Sequence, residues 1–398
     1  MLRTGSIRNA TSGPVVNIAL TGIVLGIVAM LISIMVVTGF RNEITRKVTG
    51  FVAHFRISSF NNNESFEESP IKIEPKTLNR IKSLPEVRQI QGFTLKAALI
   101  KTDDDCQGVV LKGVGNDFDS GFFSSKITEG KFPVFNDSSY STSVLISEHF
   151  SKKLRLKTGD SFLVFFIQND KKVRKVTVSG IYKTGLSEEF DNLYMICDLR
   201  MLQQINGWKN GEVGGYEVFL KDGVDMEKAF PPLYNATGYT YNTQSAEQLY
   251  PQLFNWLELQ NLNVYVIIGL ITLVAGITII STLLILVLEH AREIGLFKAM
   301  GATDSFIGSI YGYIALKILL KGIIIANVIS FAFAIFQQQT GIITLPEESY
   351  YLSKVPVNID LVGILIVNSI VLLTGMLVML LPAKIISGIQ PVKVLRFD

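Results

Sequence analysis

Cysteine is nearly missing: Cys106 and Cys197 are the two in 398 residues, too few for a disulfide framework. Both fall in the hydrophilic middle of the chain, where two free buried thiols are a slightly better expectation than one pair. Three histidines with no close Cys/His spacing lend no support to a metal site. Charged residues make up only 18%, and a formal net charge of +3 is too small to argue for nucleic acid. Basic blocks interleaved with aromatics are missing as well. No GxxxxGK[ST] loop occurs, so no ATP or magnesium site is expected on this chain. His54 and His149 have no GxSxG elbow to serve. Asp103, Asp104 and Asp105 point different ways on any backbone, which reads as a solvated turn before a cation site. No catalytic residue is assigned, and no internal repeat is visible.

What is abundant is apolar sequence: 48% of residues are hydrophobic, and mean hydropathy is +0.36. It is concentrated in long runs. A bilayer-crossing helix needs ~20 mostly apolar residues. Val15–Thr38, Leu262–Leu288 and Leu361–Pro382 carry no charge, and Phe306–Phe336 carries only Lys317 and Lys321. These predict four spans, at 15–40, 261–288, 304–336 and 359–383. The first is too long for a signal peptide, lacks a small-residue cleavage site, and is expected to stay as an anchor. Flank 1–14, loop 289–303 and tail 384–398 hold seven basic residues (Arg3, Arg8, Arg292, Lys298, Lys384, Lys393, Arg396), against Lys354 alone in loop 337–358. Positive charge marks the cytoplasmic side, so both termini are expected there. Arg41, Arg46 and Lys47 oppose this, but they open a long translocated segment, where the rule is weak. Gly22 and Gly26 form a GxxxG, continued by Ala29 and Ser33, which permits close helix packing. Packing inside one subunit and a seam to another both stay open.

Residues 41–260 read as a water-exposed α+β domain inserted after the first span. Phe51–Ser58 alternates as a strand does. Gln107–Val114, Phe162–Ile167 and Lys175–Ile181 are rich in β-branched and aromatic residues. Pro75–Ser83 and Ser147–Leu156 predict short helices, the second ended by Thr158-Gly159-Asp160. Gln168–Lys172 predicts a hairpin connection, and Asn61–Ser69 a polar loop.

The most informative stretch is Leu288–Ile307, LEHAREIGLFKAMGATDSFI. It predicts a short helix between spans two and three, stopped by Gly301 in a left-handed cap, with Thr303 or Asp304 capping the next span. Ala291, Ile294, Phe297 and Met300 roughly share one face. Glu289, Arg292, Glu293 and Lys298 supply a mixed-charge remainder, as an amphipathic helix at the interface would. A passive connector fits the same residues.

This segment resembles the E-x-x-R-E-I-G-x-x-[KR]-A-x-G-A signature of FtsX/MacB-type permeases, whose coupling helix rests on an ATPase subunit. The resemblance puts Glu289, Arg292, Glu293, Gly295, Leu296, Lys298, Ala299 and Gly301 in that role. Val36–Phe55, Ser179–Leu193, Thr344–Val357 and Pro391–Arg396 are similar to segments of lipoprotein-releasing permeases of the LolC/LolE type, so the resemblance spans nearly the whole chain. It implies a MacB-like periplasmic domain in the bacterial inner membrane. It also implies a LolD-like ABC ATPase dimer holding ATP and Mg, a second permease chain (the same or a paralogue), a triacylated lipoprotein as substrate, and a periplasmic carrier. A cavity for acyl chains would be lined by Val24, Ile27, Met30, Leu31 and Ile34 of span one, with Ile268, Ile271, Leu273 and Ile277 of span two. Lipid contact or helix packing is the plainer role for each. Two features depart from the family. The hairpin at about Phe166–Val173 is short and lacks the proline of the carrier-recruiting hook, which argues against docking through such a hook. Lys317 and Lys321, four residues apart on one face, stand where relatives have apolar or small residues. Charge inside a span points to function, while snorkelling or pairing within the bundle is the structural alternative. A MacB-like exporter of peptides or drugs, an FtsX-like mechanotransmitter acting on a cell-wall hydrolase, and a membrane enzyme using the two lysines are the competing classes.

Overall fold

The computed structural model describes residues 12–61, 66–101, 106–135, 139–166, 172–186 and 190–378. Asp103–Asp105, the hairpin tip 168–171, the flank before residue 12 and the chain after Val378, Pro391–Arg396 included, lie outside the described residues. The described chain divides into two compact units. One takes residues up to 42, 255–344 and from 354 onward; the other takes 43–254 and 345–353.

Helix α1 (Ser12–Val52) has 41 residues, ~61 Å at 1.5 Å per residue and about twice the hydrocarbon thickness. Its one proline, Pro14, falls in the first turn, where no intrahelical N–H is needed, so the helix runs on past its apolar stretch. The strand expected from Phe51 therefore starts later. Phe51 stays helical and buried, its ring 4.5 Å from Phe190 and 5.3 Å from Phe123. Ala53 turns the chain at φ 65°, and β1 covers only Phe55–Ser58.

The soluble unit continues with α2 (Pro75–Lys82), β2 (Val87–Lys101), β3 (Cys106–Val114), α3 (Gly121–Ser124), β4 (Ile127–Gly130), β5 (Ser143–Ser147) and α4 (Glu148–Leu154). Then come β6 (Ser161–Phe166), β7 (Lys172–Tyr182), β8 (Tyr194–Asp198), α5 (Leu199–Asn206), β9 (Gly215–Leu220), α6 (Met226–Thr237), β10 (Asn242–Ser245) and α7 (Ala246–Leu249). Helix α2 opens on the expected proline at its first turn. Helix α4 is capped by the Ser147 hydroxyl accepting from the Phe150 N–H and ends at Arg155, which is left-handed. Pairing runs β2–β3–β8–β5–β7–β6 and returns to β2, closing a small barrel. Ile100, Leu111, Ile146, Val164, Val178 and Met195 belong to the core that fills it. Strands β9, β1 and β10 extend from β2 as a wing, where Phe55, Ile81, Val218 and Leu233 form a second core under α2 and α6. No disulfide joins the two cysteines, and the expectation of two buried thiols holds for Cys197 alone, since Cys106 is exposed.

The chain then forms α8 (Pro251–Glu289), α9 (Ala291–Ala299), α10 (Asp304–Thr340), α11 (Glu347–Tyr350) and α12 (Leu361–Val378). Helices α1, α8, α10 and α12 are each long and apolar enough to cross a membrane. They pack through small residues. A Cβ on Gly26 would sit 3.2 Å from Ile271, one on Gly322 3.0 Å from Ile23, and one on Gly375 2.5 Å from Leu319. Asn327 and Asn368 exchange two hydrogen bonds, of 3.0 and 3.2 Å, between α10 and α12. Paired amides satisfy one another where lipid offers no partner.

Candidate functional site

Helix α9 is seated by Ile294, which is buried with Val287 and Ile307, and by Lys298, whose Nζ lies 2.7 Å from Asp304 Oδ1. Gly301 reverses the chain at φ 93°, and the Thr303 hydroxyl caps α10 by accepting from the Phe306 N–H. The expected faces need correction. Lys298 turns inward, because residues 291, 294, 295 and 298 share one helical stripe, while Phe297 and Met300 turn outward. Of the residues carried by the coupling signature, Gly295 and Lys298 hold the helix in place. Glu289, Arg292, Glu293, Leu296, Ala299 and Gly301 are exposed. The outward surface is thus both apolar and charged, with Leu296 52% and Met300 67% exposed.

In the soluble unit the end of α1 is bound into the sheet. Lys112 on β3 and Glu217 on β9 form an ion pair of 2.7 Å, both essentially without solvent exposure. Lys112 Nζ also donates to the Phe51 carbonyl at 2.5 Å, one of the carbonyls a helix end leaves without an intrahelical partner. Gln91 donates to the other Glu217 oxygen at 3.0 Å. Burial pulls the Lys112 ammonium below its usual range, and Glu217 opposes that pull. Nearby, Glu68 accepts from the Leu95 N–H at 2.7 Å and from Thr94 at 3.2 Å. Burial raises its carboxyl to about 7 against the opposing Arg56 charge.

A second junction gathers parts of three segments that carry the family resemblance. Lys47 on α1 donates to the Tyr351 carbonyl at 2.8 Å, and Lys183 after β7 pairs with Glu347 on α11 at 2.8 Å. A Cβ on Gly185, whose φ is 81°, would meet both Glu347 and Lys47 within 2.6 Å. Asp191 closes the Thr184–Gly185 turn by accepting both backbone N–H groups and the Thr184 hydroxyl. Burial pulls Lys47 down and Asp191 up. Single-residue signals did not mark this junction, since its members lie up to 304 positions apart.

The cavity candidates separate in the membrane unit. Val24, Ile27, Met30, Leu31 and Ile268 belong to the core of the bundle itself, with Ile34 and Ile271 packed against it. Within this chain they hold α1 to its neighbours. Leu273 and Ile277 are exposed, at 59% and 55%. Gly26 packs closely on α8, where a Cβ would lie 3.2 Å from Ile271, while Gly22 is exposed and meets Thr278 at an ordinary 3.6 Å. Lys317 and Lys321 are exposed on α10. His54 Nδ1 accepts from the Leu220 N–H at 3.3 Å, and burial lowers its pKa to about 4. It is a neutral structural residue. Among the described residues no group of three His, Cys, Asp or Glu could hold a metal.

Residues 18–230 match the family described as the MacB-like periplasmic core domain, and residues 265–391 match the FtsX-like permease C-terminal family. The chain is an FtsX/MacB-like permease of the LolC/LolE type. It is similar to the Neisseria meningitidis lipoprotein-releasing system transmembrane protein LolC, at 20% identity over 98% of this chain and 96% of the relative. The Haemophilus influenzae LolE of the same description matches at 21% identity over 98% and 96%. Among solved structures, the periplasmic region of MacB from Actinobacillus actinomycetemcomitans matches at 11% identity and a TM-score of 0.36, covering 52% of this chain and 96% of that one. The permease is thus a multi-pass inner-membrane protein with an α+β MacB-like periplasmic domain between its first and second spans. It belongs to the ABC transporter permeases.

Proposed function

We propose that this permease extracts lipoproteins from the outer leaflet of the inner membrane and releases them towards a periplasmic carrier or the outer membrane, driven by a LolD-like ATPase dimer. The observation that carries the reading is the outward surface of α9, Arg292, Glu293, Leu296 and Met300, on a helix held by Ile294 and Lys298. It is a cytoplasmic handle for a separate motor. The near-complete alignment with relatives named for lipoprotein release supports the cargo class.

Coupling in this reading is mechanical. The ATPase dimer closes and pushes α9. Rigid α8 and α10 tilt in response. The periplasmic domain is worked through continuous helices, α1 among them, whose end Lys112 grips. Three acyl chains are held in the bilayer by on the order of 30–40 kcal/mol, at ~0.8 kcal/mol per CH₂. Expulsion straight into water is therefore ruled out on energy, and the chains must pass along an apolar surface. Leu273 and Ile277 are the candidates of α8 that remain open for it. A second permease chain, this one or a paralogue, would supply the other wall, and both termini lie in the cytoplasm.

Purification of the native complex tests the proposal. A co-purifying ATPase and ATP-dependent release of a triacylated lipoprotein from proteoliposomes are expected. A cell-wall hydrolase partner without lipid cargo would replace it with the FtsX-like reading, and ATP-dependent export of peptides or drugs with the MacB-like one.

A further inference from the structure

Lys317 and Lys321 have no place in the mechanism above, yet they stand in a span. Both are exposed on the outer side of α10, on a stripe otherwise formed by Ile310, Tyr313, Leu320 and Ile324. Among the described residues, the partner found for Lys317 is the Tyr313 ring, with Nζ 4.6 Å from its centroid.

Their depth follows from the packing of α10 on α12. Asp360 caps α12 by accepting from the Val362 N–H, and Leu361, where the apolar run begins, is taken as one membrane boundary. Leu319 packs against Gly375, fourteen residues and ~21 Å further along α12. Because α10 runs antiparallel to α12, Lys321 lies ~18 Å from that boundary and Lys317 ~24 Å. Tyr313 lies at ~30 Å, the full thickness of the hydrocarbon core, where aromatic residues collect. Side chains on a helix lean towards its N-terminus. Both ammonium groups therefore lean towards the Tyr313 level, the boundary nearer α9.

Two lysines facing hydrocarbon are costly unless an anion meets them. One helical turn separates them, so both amines are within reach of a single anion lodged just inside that boundary. We propose that Lys317 and Lys321, with Tyr313 beside them, bind the phosphate of an anionic phospholipid in the leaflet on the α9 side, its acyl chains lying along the apolar stripe. A zwitterionic lipid brings its own cation to the same place and is disfavoured. Glycerophosphate has the same headgroup chemistry but nothing to hold it against the apolar stripe.

Native mass spectrometry of the full chain in mild detergent tests this, with phosphatidylglycerol, phosphatidylcholine and soluble glycerophosphate as probes. The permease is expected to retain phosphatidylglycerol over phosphatidylcholine. K317L/K321L should lose about thirtyfold of that preference, the sum for two lysines at an anionic headgroup, while K317R/K321R keeps most of it. Where the double leucine variant fails to fold, K317Q and K321Q are each expected to lose about fivefold. An unchanged preference in the leucine or glutamine variants would overturn the site. So would competition by glycerophosphate as strong as by the lipid, or loss of a bound protein in place of the lipid.

Discussion

Removing the Glu217 carboxylate should free the end of α1 from the sheet. Lys112 would keep the Phe51 carbonyl and the faces of Phe51, Phe93 and Phe118 but lose its ion pair, in a place without solvent. Breaking one side of a buried ion pair costs about 3–5 kcal/mol, because the remaining charge is left uncompensated. Glu217→Gln changes little volume, so most of that loss is electrostatic. At a factor of ten per 1.4 kcal/mol, hydrogen exchange in β3 and β9 of the full chain should speed up by roughly two to three and a half powers of ten. Replacing both residues, as K112M/E217L, should cost clearly less than the sum of the two single changes, since no charge stays behind. The pH dependence has a definite sign. Burial holds Lys112 below its unfolded value, and Glu217 is the main opposing influence. In Glu217→Gln the folded chain therefore binds fewer protons than the unfolded chain over a wider range below the ordinary lysine pKa. Stability then rises with pH across that range, and the deficit against wild type shrinks between neutral pH and pH 9.5. Additive single losses, a loss under about 1 kcal/mol, or a deficit that does not change with pH would refute the reasoning.

Leu296→Glu and Met300→Glu alter exposed positions, so stability should stay within ~0.5 kcal/mol while an ATPase no longer co-purifies; retained co-purification in both would remove α9 from the coupling. Gly26→Leu drives a side chain into Ile271, already 3.2 Å from where a Cβ would lie. A loss of about 1–3 kcal/mol is expected in a thermal melt, with Gly26→Ala milder. Glu68, at about 7 when folded, contributes stability that is present below the unfolded carboxyl pKa and is lost as pH rises through 7. Glu68→Gln should flatten that slope between pH 5 and pH 8, and an undiminished slope would show that the proton sits elsewhere.

Much of the membrane half was legible in the residues, because hydrocarbon imposes one requirement that a run of apolar positions displays openly. The α9 turn was legible too, through Gly301 and the Thr303 cap. The orientation of Lys298 was not, since a lysine four residues from an isoleucine reads equally well as surface charge until Asp304 is placed beside it. In the soluble unit, β3, β6 and β7 announced themselves by composition. Strand β8 did not, because all five of its residues are buried and no period of two survives. The closing pairs of the barrel, Leu99 with Phe165 and Ser161 with Thr177, follow from three-dimensional closure and leave no local trace. Lys112 and Glu217, 105 positions apart, carry no local sign of their pairing.

The excursion of residues 345–353 into the soluble unit sets an order of events during synthesis. The rest of that unit is complete at Phe254, but Glu347 and Tyr351 leave the ribosome about 90 residues later, a delay of roughly 5–20 s at ordinary elongation rates. Until then Lys47, Lys183 and the Gly185 turn stand uncovered on the nascent chain. The domain cannot complete its fold before α10 has been made, which ties its maturation to the insertion of the spans that follow it.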